Sequence, residues 1–426
     1  MKIKRKKISE LGEVITGKTP SKNFSKPFGN KLQFFTPSDI QNQRYVDKTQ
    51  RCLSEESIEK LNKYVLPKNT ILVTCIGSDM GKVCITRSEG ISNQQINAII
   101  PNKENDYLFI YYLLKTKKNY LRNYASGGST MPIINKNDFS NLEFNIPPLP
   151  TQINISSFLS SLDEKIELNQ KMNETLEDIG KSLFKSWFID FDPVRAKSEG
   201  RPTGLSKRIS DLFPDSFDDS ELGEIPRGWS ISVINDIATK ISDKYKKDED
   251  WSKEKLIDLS RMPSNSIALN SFGKGDQLST SVCKFQKYDF LFGSIRPYFY
   301  KAGICPFDGV SNTSVFILRA NKIFDREFMY FYSSSMNTFE KSVQYSGGTK
   351  MPIIKWSDFK EFKFACPNKE LREHFSSKIK PIVDKIILNI EEEEVLTKLR
   401  DLLLPKLISG EIKISEAESL IEEASI

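Results

Sequence analysis

The feature that most constrains this chain is an internal repeat half its length. Residues 124–144 read Tyr-Ala-Ser-Gly-Gly-Ser-Thr-Met-Pro-Ile-Ile-Asn-Lys-Asn-Asp-Phe-Ser-Asn-Leu-Glu-Phe, and residues 345–364 read Tyr-Ser-Gly-Gly-Thr-Lys-Met-Pro-Ile-Ile-Lys-Trp-Ser-Asp-Phe-Lys-Glu-Phe-Lys-Phe. A spacing of 220 residues separates Ser126 from Ser346, and it holds without a gap to Leu183 and Leu403. Solenoid units run roughly 20 to 50 residues, so this period is too long for a solenoid. The pattern predicts a tandem duplication of one whole domain together with the segment that follows it.

Charge alternates along the duplicated chain. The overall net charge of +6 divides into +10 for residues 1–150, −5 for 151–228, +5 for 229–368 and −4 for 369–426. Lysine and arginine that neutralise phosphates supply most of the non-specific affinity for nucleic acid. The alternation therefore favours a polyanion held by both globular repeats, against the alternative of an ordinary solvated surface.

Composition argues against membranes, metals and disulfides. The chain has no apolar run near 18 residues, and its basic N-terminus is not followed by an apolar stretch, so we expect a soluble, cytoplasmic protein without a membrane partner. The six cysteines include no Cys-x-x-Cys pair, and His374 is the only histidine. We therefore expect no metal site, and we interpret the cysteines as small core residues in a reducing compartment.

Several motifs resemble catalytic sites but lack the necessary context. Residues Gly12–Thr19 satisfy the phosphate-loop pattern G-x-x-x-x-G-K-[ST], yet lysines precede them and prolines follow, where a strand and a helix are needed. Acids are not clustered as a nuclease requires, and no glycine-rich loop typical of methyltransferases is evident. A catalytic triad is not expected around a single histidine. The sequence favours a binding protein with no catalytic residues of its own.

The predicted fold class is α+β, with two mixed α/β repeats and two long helices. Short apolar runs such as Thr70–Ile76 and Phe290–Ile295 predict strands. The clearest helices inside the repeats are predicted over Tyr107–Leu121 and Arg326–Phe339. Between the repeats, prolines and glycines predict a linker that no long element crosses. The predicted domains are a globular repeat at 1–150, a helix at 151–188, a linker at 189–228, a second repeat at 229–368, a helix at 369–408 and a tail at 409–426.

The acidic segments carry a heptad pattern in both copies. Alternating steps of four and three residues give an apolar seam that polar residues interrupt at its middle. The seam includes Leu162, Ile166, Asn169, Leu176 and Leu183 in the first copy, and Ile382, Ile386, Asn389, Leu396 and Leu403 in the second. Each helix spans roughly 35 residues, about 50 Å at 1.5 Å per residue. An interior proline, Pro381, argues against a perfectly straight second helix.

The two helices are predicted to pack antiparallel about a pseudo-twofold axis, like a coiled coil. A long helix with one apolar stripe needs a partner, and the other copy is the nearest candidate. Asn169 and Asn389 would then lie near each other at the centre, where a buried asparagine fixes register at some cost in stability. The alternative is that each asparagine faces solvent.

These motifs together resemble the specificity subunit of type I restriction-modification enzymes. The resemblance is carried by the two Ser-Gly-Gly loops followed by Met-Pro-Ile-Ile, by Pro147-Pro148-Leu149-Pro150 with Gln152, by residues 186–197 (Ser-Trp-Phe-Ile-Asp-Phe-Asp-Pro-Val-Arg-Ala-Lys), and by residues 220–229 (Ser-Glu-Leu-Gly-Glu-Ile-Pro-Arg-Gly-Trp). It covers nearly the whole chain. One departure is that Cys366-Pro367-Asn368 replaces the usual proline-rich entry to the second helix.

The resemblance implies a function and a set of partners. Each globular repeat would be a target recognition domain reading one half of a bipartite, asymmetric site in double-stranded DNA, and the helices would set the gap between the halves. The helices would also dock two modification subunits, which bind S-adenosylmethionine and methylate adenine, and the complex would recruit restriction subunits that use ATP and Mg²⁺. No cofactor is expected in this chain itself. The alternatives are a stand-alone two-domain DNA-binding protein and an enzyme in its own right.

Candidate DNA-contacting residues follow from the chemistry of base edges and phosphates. Arginine and lysine read guanine, asparagine and glutamine read adenine, and glycine lets the backbone approach phosphate. In the first repeat the candidates are Lys18, Lys22, Lys26, Ser78, Lys82, Asn93, Gln94, Gln95, Ser126, Gly127 and Gly128. In the second they are Arg296, Tyr298, Lys301, Asn312, Thr313, Ser346, Gly347 and Gly348. A turn or a solvated charge is the alternative for each of them.

Overall fold

The computed structural model describes residues 3–41, 43–125, 132–245, 249–278 and 282–424. The chain divides into two compact units. Unit 1 comprises Met1–Glu164 and Leu396–Ile426, and unit 2 comprises Lys165–Val395. Each unit therefore takes one globular repeat together with a segment of each long helix.

Strands and helices alternate in both repeats. The strands before the first long helix are β1 (Lys4–Lys7), β2 (Gly12–Thr16), β3 (Phe28–Gly29), β4 (Leu32–Phe35), β5 (Tyr45–Val46), β6 (Cys52–Leu53), β7 (Ile71–Thr74), β8 (Val83–Thr86), β9 (Gly90–Ser92), β10 (Ile96–Pro101) and β11 (Glu143–Ile146). Those after it are β12 (Phe217–Ser220), β13 (Gly223–Pro226), β14 (Ser230–Val233), β15 (Ala238–Ile241), β16 (Lys255–Leu256), β17 (Gly273–Lys274), β18 (Val282–Phe285), β19 (Phe290–Gly293), β20 (Ala302–Ile304), β21 (Gly309–Asn312), β22 (Val315–Ala320) and β23 (Lys363–Cys366). The helices are α1 (Ile8–Leu11), α2 (Glu55–Lys60), α3 (Tyr107–Lys115), α4 (Lys118–Ala125), α5 (Lys136–Asn141), α6 (Leu149–Phe188), α7 (Asp192–Ser198), α8 (Lys207–Ser210), α9 (Ile234–Ile237), α10 (Arg326–Ser333), α11 (Met336–Gln344), α12 (Trp356–Phe359), α13 (Lys369–Ser409) and α14 (Ile414–Ala424).

The globular part of unit 1 is built around a five-stranded sheet of order β2-β10-β7-β8-β5. Strand β10 lies between β2 and β7 and is antiparallel to both. Both faces of β7 are buried, which explains why its residues form an unbroken apolar run instead of an alternating one. A second sheet of order β3-β6-β4-β9 contains the segment that follows the phosphate-loop-like residues.

Unit 2 repeats this plan. Its sheet of order β15-β22-β19-β20 places β22 between β15 and β19, as β10 lies between β2 and β7 in unit 1. A second sheet has the order β17-β16-β21-β18. The same central connectivity in both repeats supports the duplication that the sequence predicts.

The helix predicted inside each repeat is two helices. Tyr107–Leu121 is divided into α3 and α4, and Arg326–Phe339 is divided into α10 and α11. In unit 2 the break falls at Ser334 and Ser335, where Ser335 caps α11 by accepting a hydrogen bond from the Thr338 amide. Serine side chains offer the backbone an alternative to continuing the helix, so the apolar period runs on while the helix stops.

The long helices begin and end close to the predicted positions. The first was predicted at 151–188 and α6 runs from Leu149 to Phe188, and the second was predicted at 369–408 and α13 runs from Lys369 to Ser409. Helix α13 continues through Pro381. The predicted linker holds only α7, α8 and the β12–β13 hairpin, as its prolines and glycines predict. Helix α14 lies within the segment that was predicted only as a tail.

Contacts within each unit show that α6 and α13 run antiparallel. In unit 2, Lys165 is 3.4 Å from Glu392, while Asn173 accepts a hydrogen bond of 2.8 Å from Asn389. In unit 1, Asp163 pairs with Arg400 at 2.6 Å. The residue number on α13 falls as that on α6 rises, which defines an antiparallel pair.

The seam residues are buried, though not all of them by the other helix. Leu162, Ile166, Asn169, Ile386, Asn389 and Leu403 are buried, and Leu176, Leu183, Ile382 and Leu396 are half-buried. Leu403 packs into the hydrophobic core of unit 1, and Leu183 packs against that of unit 2. The cores of the repeats therefore cover parts of the same apolar stripe as the opposite helix does.

Both central asparagines lie inside the helix pair and not in solvent. The Asn389 side chain donates to Asn173, and that of Asn169 donates to Glu392 at 2.8 Å. Asn169 and Asn389 are fully buried. Asn389 therefore bonds to Asn173 and not to Asn169, its counterpart in the repeat. Asn173 lies four residues, about one helical turn, after Asn169.

Candidate nucleic-acid interface

Three loops converge at the end of β7 in unit 1. The Cys75 amide donates to the Gln95 carbonyl at 2.9 Å, which ties the loop after β7 to the loop before β10. On its other side, the Gly77 amide donates to the Pro132 carbonyl at 3.0 Å, and Ile76 forms a bridge with Ile133. A cavity of about 370 Å³ opens between these loops. It is lined by Thr16, Cys75, Ile76, Gln94, Gln95, Asn97, Ile133, Ile134, Asn135 and Lys136.

The equivalent loops of unit 2 are joined in the same way. The Ser294 amide donates to the Ser314 carbonyl at 3.0 Å, and the Arg296 amide donates to the Pro352 carbonyl at 2.8 Å. Ile353 bridges Ile295, as Ile133 bridges Ile76 in unit 1. Backbone hydrogen bonds therefore join the equivalent loops in both repeats.

The backbone framework carries different side chains in the two units. In unit 1, Gln94 and Gln95 are exposed beside Lys18, whose amide donates to the Ser92 carbonyl at 2.8 Å. In unit 2, Arg296, Tyr298 and Thr313 are exposed at the corresponding loops. Such surfaces can offer amide groups to adenine in one case, and a guanidinium to guanine in the other.

A close backbone approach holds the Lys18 segment against its neighbour. A Cβ atom placed on Gly17 would lie 2.1 Å from the Ser92 carbonyl oxygen, so no larger residue fits there. The side chain of Thr19 then donates to Gln94 at 2.5 Å. The glycine of the phosphate-loop-like motif therefore allows two loops to pack, and its role is not that of a strand-to-helix phosphate cradle.

Some candidates are placed elsewhere or are occupied by internal bonds. Lys22 and Lys26 lie in the loop before β3, where the Lys26 amide donates to Glu56 at 3.1 Å. Lys82 pairs with Asp79 at 2.7 Å, and the Lys301 ammonium donates to the Leu259 carbonyl at 2.5 Å. These contacts give Lys82 and Lys301 structural roles within their loops.

The remaining candidates divide between the two repeats. Asn93 is half-buried, with its amide bonded to the Phe35 carbonyl at 2.9 Å, and Asn312 accepts from the Ser314 amide at 3.0 Å. Gly347 and Ile353 close a hairpin through two backbone bonds of 3.0 and 3.1 Å. That hairpin contains Gly348 and follows Ser346, so the second Ser-Gly-Gly segment lies beside Arg296. Ser126, Gly127 and Gly128 lie outside the described residues.

The sequence analysis did not name four exposed or loop-bonded residues that lie beside the candidate residues. Arg122 on α4 donates to the Ser78 carbonyl at 2.6 Å, and exposed Lys136 and Lys355 lie beside the bridged segments. Phe299, next to Tyr298, is also exposed. Phe299 directly follows the candidate Tyr298 in the sequence, whereas Arg122 required the packing of α4.

The unit 1 cavity is lined by one buried thiol, that of Cys75. Burial raises the pKa of the Cys75 thiol to about 12, so this cysteine stays neutral near pH 7 and is a poor nucleophile. Within the described ranges, no group of three or more histidine, cysteine or acidic side chains could hold a metal ion. Nor does any helix of the described chain have the length and apolar character needed to cross a membrane.

Comparisons with known proteins agree with the resemblance carried by the sequence motifs. The pattern of the type I restriction modification DNA specificity domain matches residues 2–178. The type I restriction enzyme MjaIX specificity subunit of Methanocaldococcus jannaschii is 29% identical over 96% of this chain and 94% of its own length. The chain is similar over almost its whole length to the specificity subunits of type I restriction-modification enzymes.

Further relatives agree with this assignment. The HindI specificity subunit of Haemophilus influenzae is 27% identical over 79% of this chain and 83% of its own length. Among solved structures, the type I restriction-modification S subunit from M. genitalium aligns with a TM-score of 0.56 at 18% identity, covering 95% of this chain and 96% of that one. That likeness supports the two-repeat fold with its long helices. A specificity subunit is the non-catalytic component of such a system, in agreement with the sequence interpretation.

Proposed function

We propose that this specificity subunit reads a bipartite, asymmetric DNA site, with one half-site read by each repeat. Unit 1 would read one half through the loops around Gln94 and Gln95. Unit 2 would read the other half through the loops around Arg296. In this proposal, α6 and α13 set the spacing between the halves.

The observation that carries this proposal is the shared loop framework with unlike side chains. Equivalent backbone bonds join Gly77 to Pro132 and Arg296 to Pro352. At the exposed positions, however, unit 1 offers glutamine amides and unit 2 offers a guanidinium and aromatic rings. Two copies of one framework with different base-reading groups are what two unlike half-sites require.

The helices carry a matched pair of surface leucines that suits two copies of one partner. Leu168 on α6 and Leu388 on α13 are related by the 220-residue repeat. Both side chains are exposed, by 53% and 57%. We assign these two positions to the docking of two modification subunits.

The partners would supply the chemistry. The modification subunits would bind S-adenosylmethionine and methylate one adenine in each half-site, and restriction subunits would use ATP and Mg²⁺ for cleavage. The described part of this chain would contribute sequence recognition and spacing.

Methylation mapping tests the proposal. The chain is co-expressed with a modification subunit from the same operon, and methylated adenines in plasmid DNA are mapped. We expect methylation at a split, asymmetric motif that disappears when this chain is omitted. Methylation that does not depend on this chain would contradict the proposal, and DNA binding without any association with the modification subunit would favour a stand-alone binder.

Two variants then assign each half-site to a repeat. The double change Gln94→Ala with Gln95→Ala is expected to relax the sequence requirement in one half only, and Arg296→Ala in the other half only. Loss of a bidentate base contact costs about 1–3 kcal/mol of discrimination. Lys103→Ala, at an exposed turn after β10, is the matched control and leaves both halves unchanged. Relaxation of the same half by both variants would contradict one half-site per repeat.

A further inference from the structure

The loop from Arg296 to Tyr300 has a backbone that its residues disfavour. Arg296 and Tyr300 both adopt the left-handed conformation, with φ of 50° and 53°. Outside glycine, that conformation is disfavoured because the Cβ atom comes too close to the following carbonyl oxygen. The corresponding loop of unit 1 has the same two turns at Gly77 and Gly81, with φ of 66° and 80°. Unit 2 therefore keeps a glycine-type loop while replacing both glycines with large side chains.

Packing and hydrogen bonds hold this strained loop in place. The Arg296 amide donates to the Pro352 carbonyl, and the Tyr300 amide donates to the Pro297 carbonyl at 2.9 Å. The Tyr300 ring packs edge-on against Phe339, 5.3 Å between centroids. Strain that the surroundings maintain in this way is concentrated at functional sites.

The loop presents two adjacent aromatic rings to solvent. Tyr298 and Phe299 are 42% and 44% exposed, and their ring centroids are 4.8 Å apart. A single exposed apolar residue is ordinary, but a rigid aromatic pair beside an exposed arginine on a basic domain is not. Arginine favours phosphate or a base edge, while aromatic rings favour the faces of unstacked bases.

Unit 1 lacks this feature. At the positions of Tyr298 and Phe299 it has Asp79, which pairs with Lys82, and Met80, which is fully buried. A carboxylate at this position repels DNA phosphates, so the unit 1 loop does not suit the same role.

We propose that Tyr298 and Phe299 form a stacking site for bases that are exposed in the unit 2 half-site when its adenine leaves the duplex. This inference rests on the proposed function, because chemistry on an adenine ring requires that the base be taken out of the stack. Apolar side chains inserted beside an opened step stabilise the distorted duplex. The aromatic pair thus favours the opened form of one half-site only.

The test uses the full complex with its modification subunit and the mapped DNA site. Duplexes carry an abasic position in place of the target adenine, either in the unit 2 half or in the unit 1 half, and their affinities are compared with that of the intact duplex. Aromatic stacking on a base is lost by alanine substitution at a cost of roughly tenfold in affinity. The preference is the ratio of the affinity for the abasic duplex to that for the intact duplex. For the duplex that is abasic in the unit 2 half, we expect the double variant Tyr298→Ala with Phe299→Ala to reduce this ratio roughly tenfold. For the duplex that is abasic in the unit 1 half, we expect no change.

Controls separate stacking from misfolding. Both rings are exposed, so their removal leaves the core intact, and methylation of the unit 1 half in the same complex reports a folded protein. The variant Tyr298→Ala with Phe299→Trp has one aromatic ring more than the double alanine variant. It should regain the preference for the abasic duplex. Ile323→Ala, which truncates another exposed apolar residue of unit 2, should have no effect.

Each outcome has a distinct meaning. The stacking site is overturned if the double variant keeps the full preference for the duplex that is abasic in the unit 2 half. It is also overturned if the wild-type complex shows no such preference. In both cases the proposal of half-site reading still stands. Failure of the proposed function would instead appear as methylation that ignores this chain, before any variant is made.

Discussion

Units 1 and 2 have different side chains at one equivalent position on their long-helix segments: charged and polar groups in unit 1, and apolar groups in unit 2. In unit 1, Arg400 on α13 pairs with Asp163 on α6 at 2.6 Å, and the Tyr112 hydroxyl donates to the same carboxylate at 2.7 Å. The Asp163 and Arg400 side chains are only 6% and 14% exposed. Burial and the Asp163 charge both raise the pKa of the Tyr112 hydroxyl, which stays protonated as a donor.

Unit 2 replaces all three polar groups with apolar ones. The 220-residue spacing matches Arg400 with Gly180 and Asp163 with Val383, and the equivalent starts of α3 and α10 match Tyr112 with Phe331. Phe331 packs so closely on Gly180 that a Cβ there would lie 2.3 Å from its ring. A polar contact in one repeat is therefore an apolar contact in the other.

The difference shows that a buried ion pair is not needed to hold this helix in place. Desolvation offsets most of the attraction between two buried charges, and apolar replacements of similar volume are often as stable or more so. What is costly is an incomplete set, because a lone buried charge has no compensation. The two repeats have each kept a complete set, and variants that mix the sets measure this directly.

Breaking the polar set should have the largest effect. Arg400→Met keeps the length of the side chain but leaves Asp163 buried without its cation, and we expect a loss of about 3–5 kcal/mol in the free energy of unfolding. Urea unfolding of the full chain measures it. The triple variant Arg400→Met, Asp163→Val and Tyr112→Phe completes an apolar set and should recover most of that loss. A single variant as stable as wild type would show that the pair is not a closed unit.

Disturbing the apolar set should cost less. Gly180→Ala forces its new methyl group into the Phe331 ring, and overpacking of this kind costs about 1–3 kcal/mol, partly offset by the better helix propensity of alanine. Adding Phe331→Leu should relieve the clash, so thermal unfolding of the two variants distinguishes a steric effect from a helix effect. Ser182→Ala, at an exposed position of the same helix, should change stability by no more than about 0.5 kcal/mol. Equal stability of Gly180→Ala and wild type would contradict the close contact.

The sequence predicted the duplication and both long helices because those signals are local or strictly periodic. The 220-residue spacing and the four-three pattern of the seam need no knowledge of packing. The triad was not predictable in the same way. Gly180 and Arg400 are related by the 220-residue spacing, but their partners Phe331 and Asp163 belong to other elements that only the fold brings near.

The candidate DNA-contacting residues differ in how far the sequence reveals their surroundings. The Gln94 and Arg296 loops follow recognisable apolar runs. Backbone bonds join the Gln94 loop to the loop after β7, and the Arg296 loop to the segment containing the second Met-Pro-Ile-Ile motif. Lys82 and Lys301 were also candidates, yet each is engaged within its own unit. A lysine in a loop looks the same in the sequence whether its ammonium faces DNA or a carbonyl of its own chain.

Substitutions in the loops with left-handed residues should change the free energy of unfolding by a smaller amount, with a loss in unit 1 and a gain in unit 2. Gly77→Ala places a side chain in the left-handed region, where no atom lies within 4 Å of the new Cβ, so the expected loss of about 1 kcal/mol comes from backbone strain alone. Arg296→Gly should gain a similar amount in unit 2 while weakening DNA binding. Thermal unfolding measures both, with Gly347→Ala as a control at an equally open site without a positive φ. A loss from Gly347→Ala as large as that from Gly77→Ala would argue against strain.

The centre of the helix pair should give the smallest effect, visible only as a pH dependence. Asn173 on α6 and Glu393 on α13 are repeat-related, so this buried site carries an amide on one helix and a carboxyl on the other. Burial raises the pKa of Glu393 above its usual 4.5, with Glu392 adding to the rise and hydrogen bonds from Gln170 and Asn270 opposing it.

Because folding raises this pKa, the stabilising contribution of Glu393 is complete below about pH 4.5 and is lost as the pH rises through the folded-state value. Glu393→Gln keeps the shape and removes the titration, so its melting temperature should gain on that of wild type as the pH increases from 4 to 8. Asp178→Asn, an exposed carboxylate on α6, should show no such trend. A difference in melting temperature between Glu393→Gln and wild type that stays constant across this range would contradict the prediction. It would mean that the Glu393 carboxyl is solvated in the folded protein, so that its surroundings do not distinguish a carboxyl from an amide.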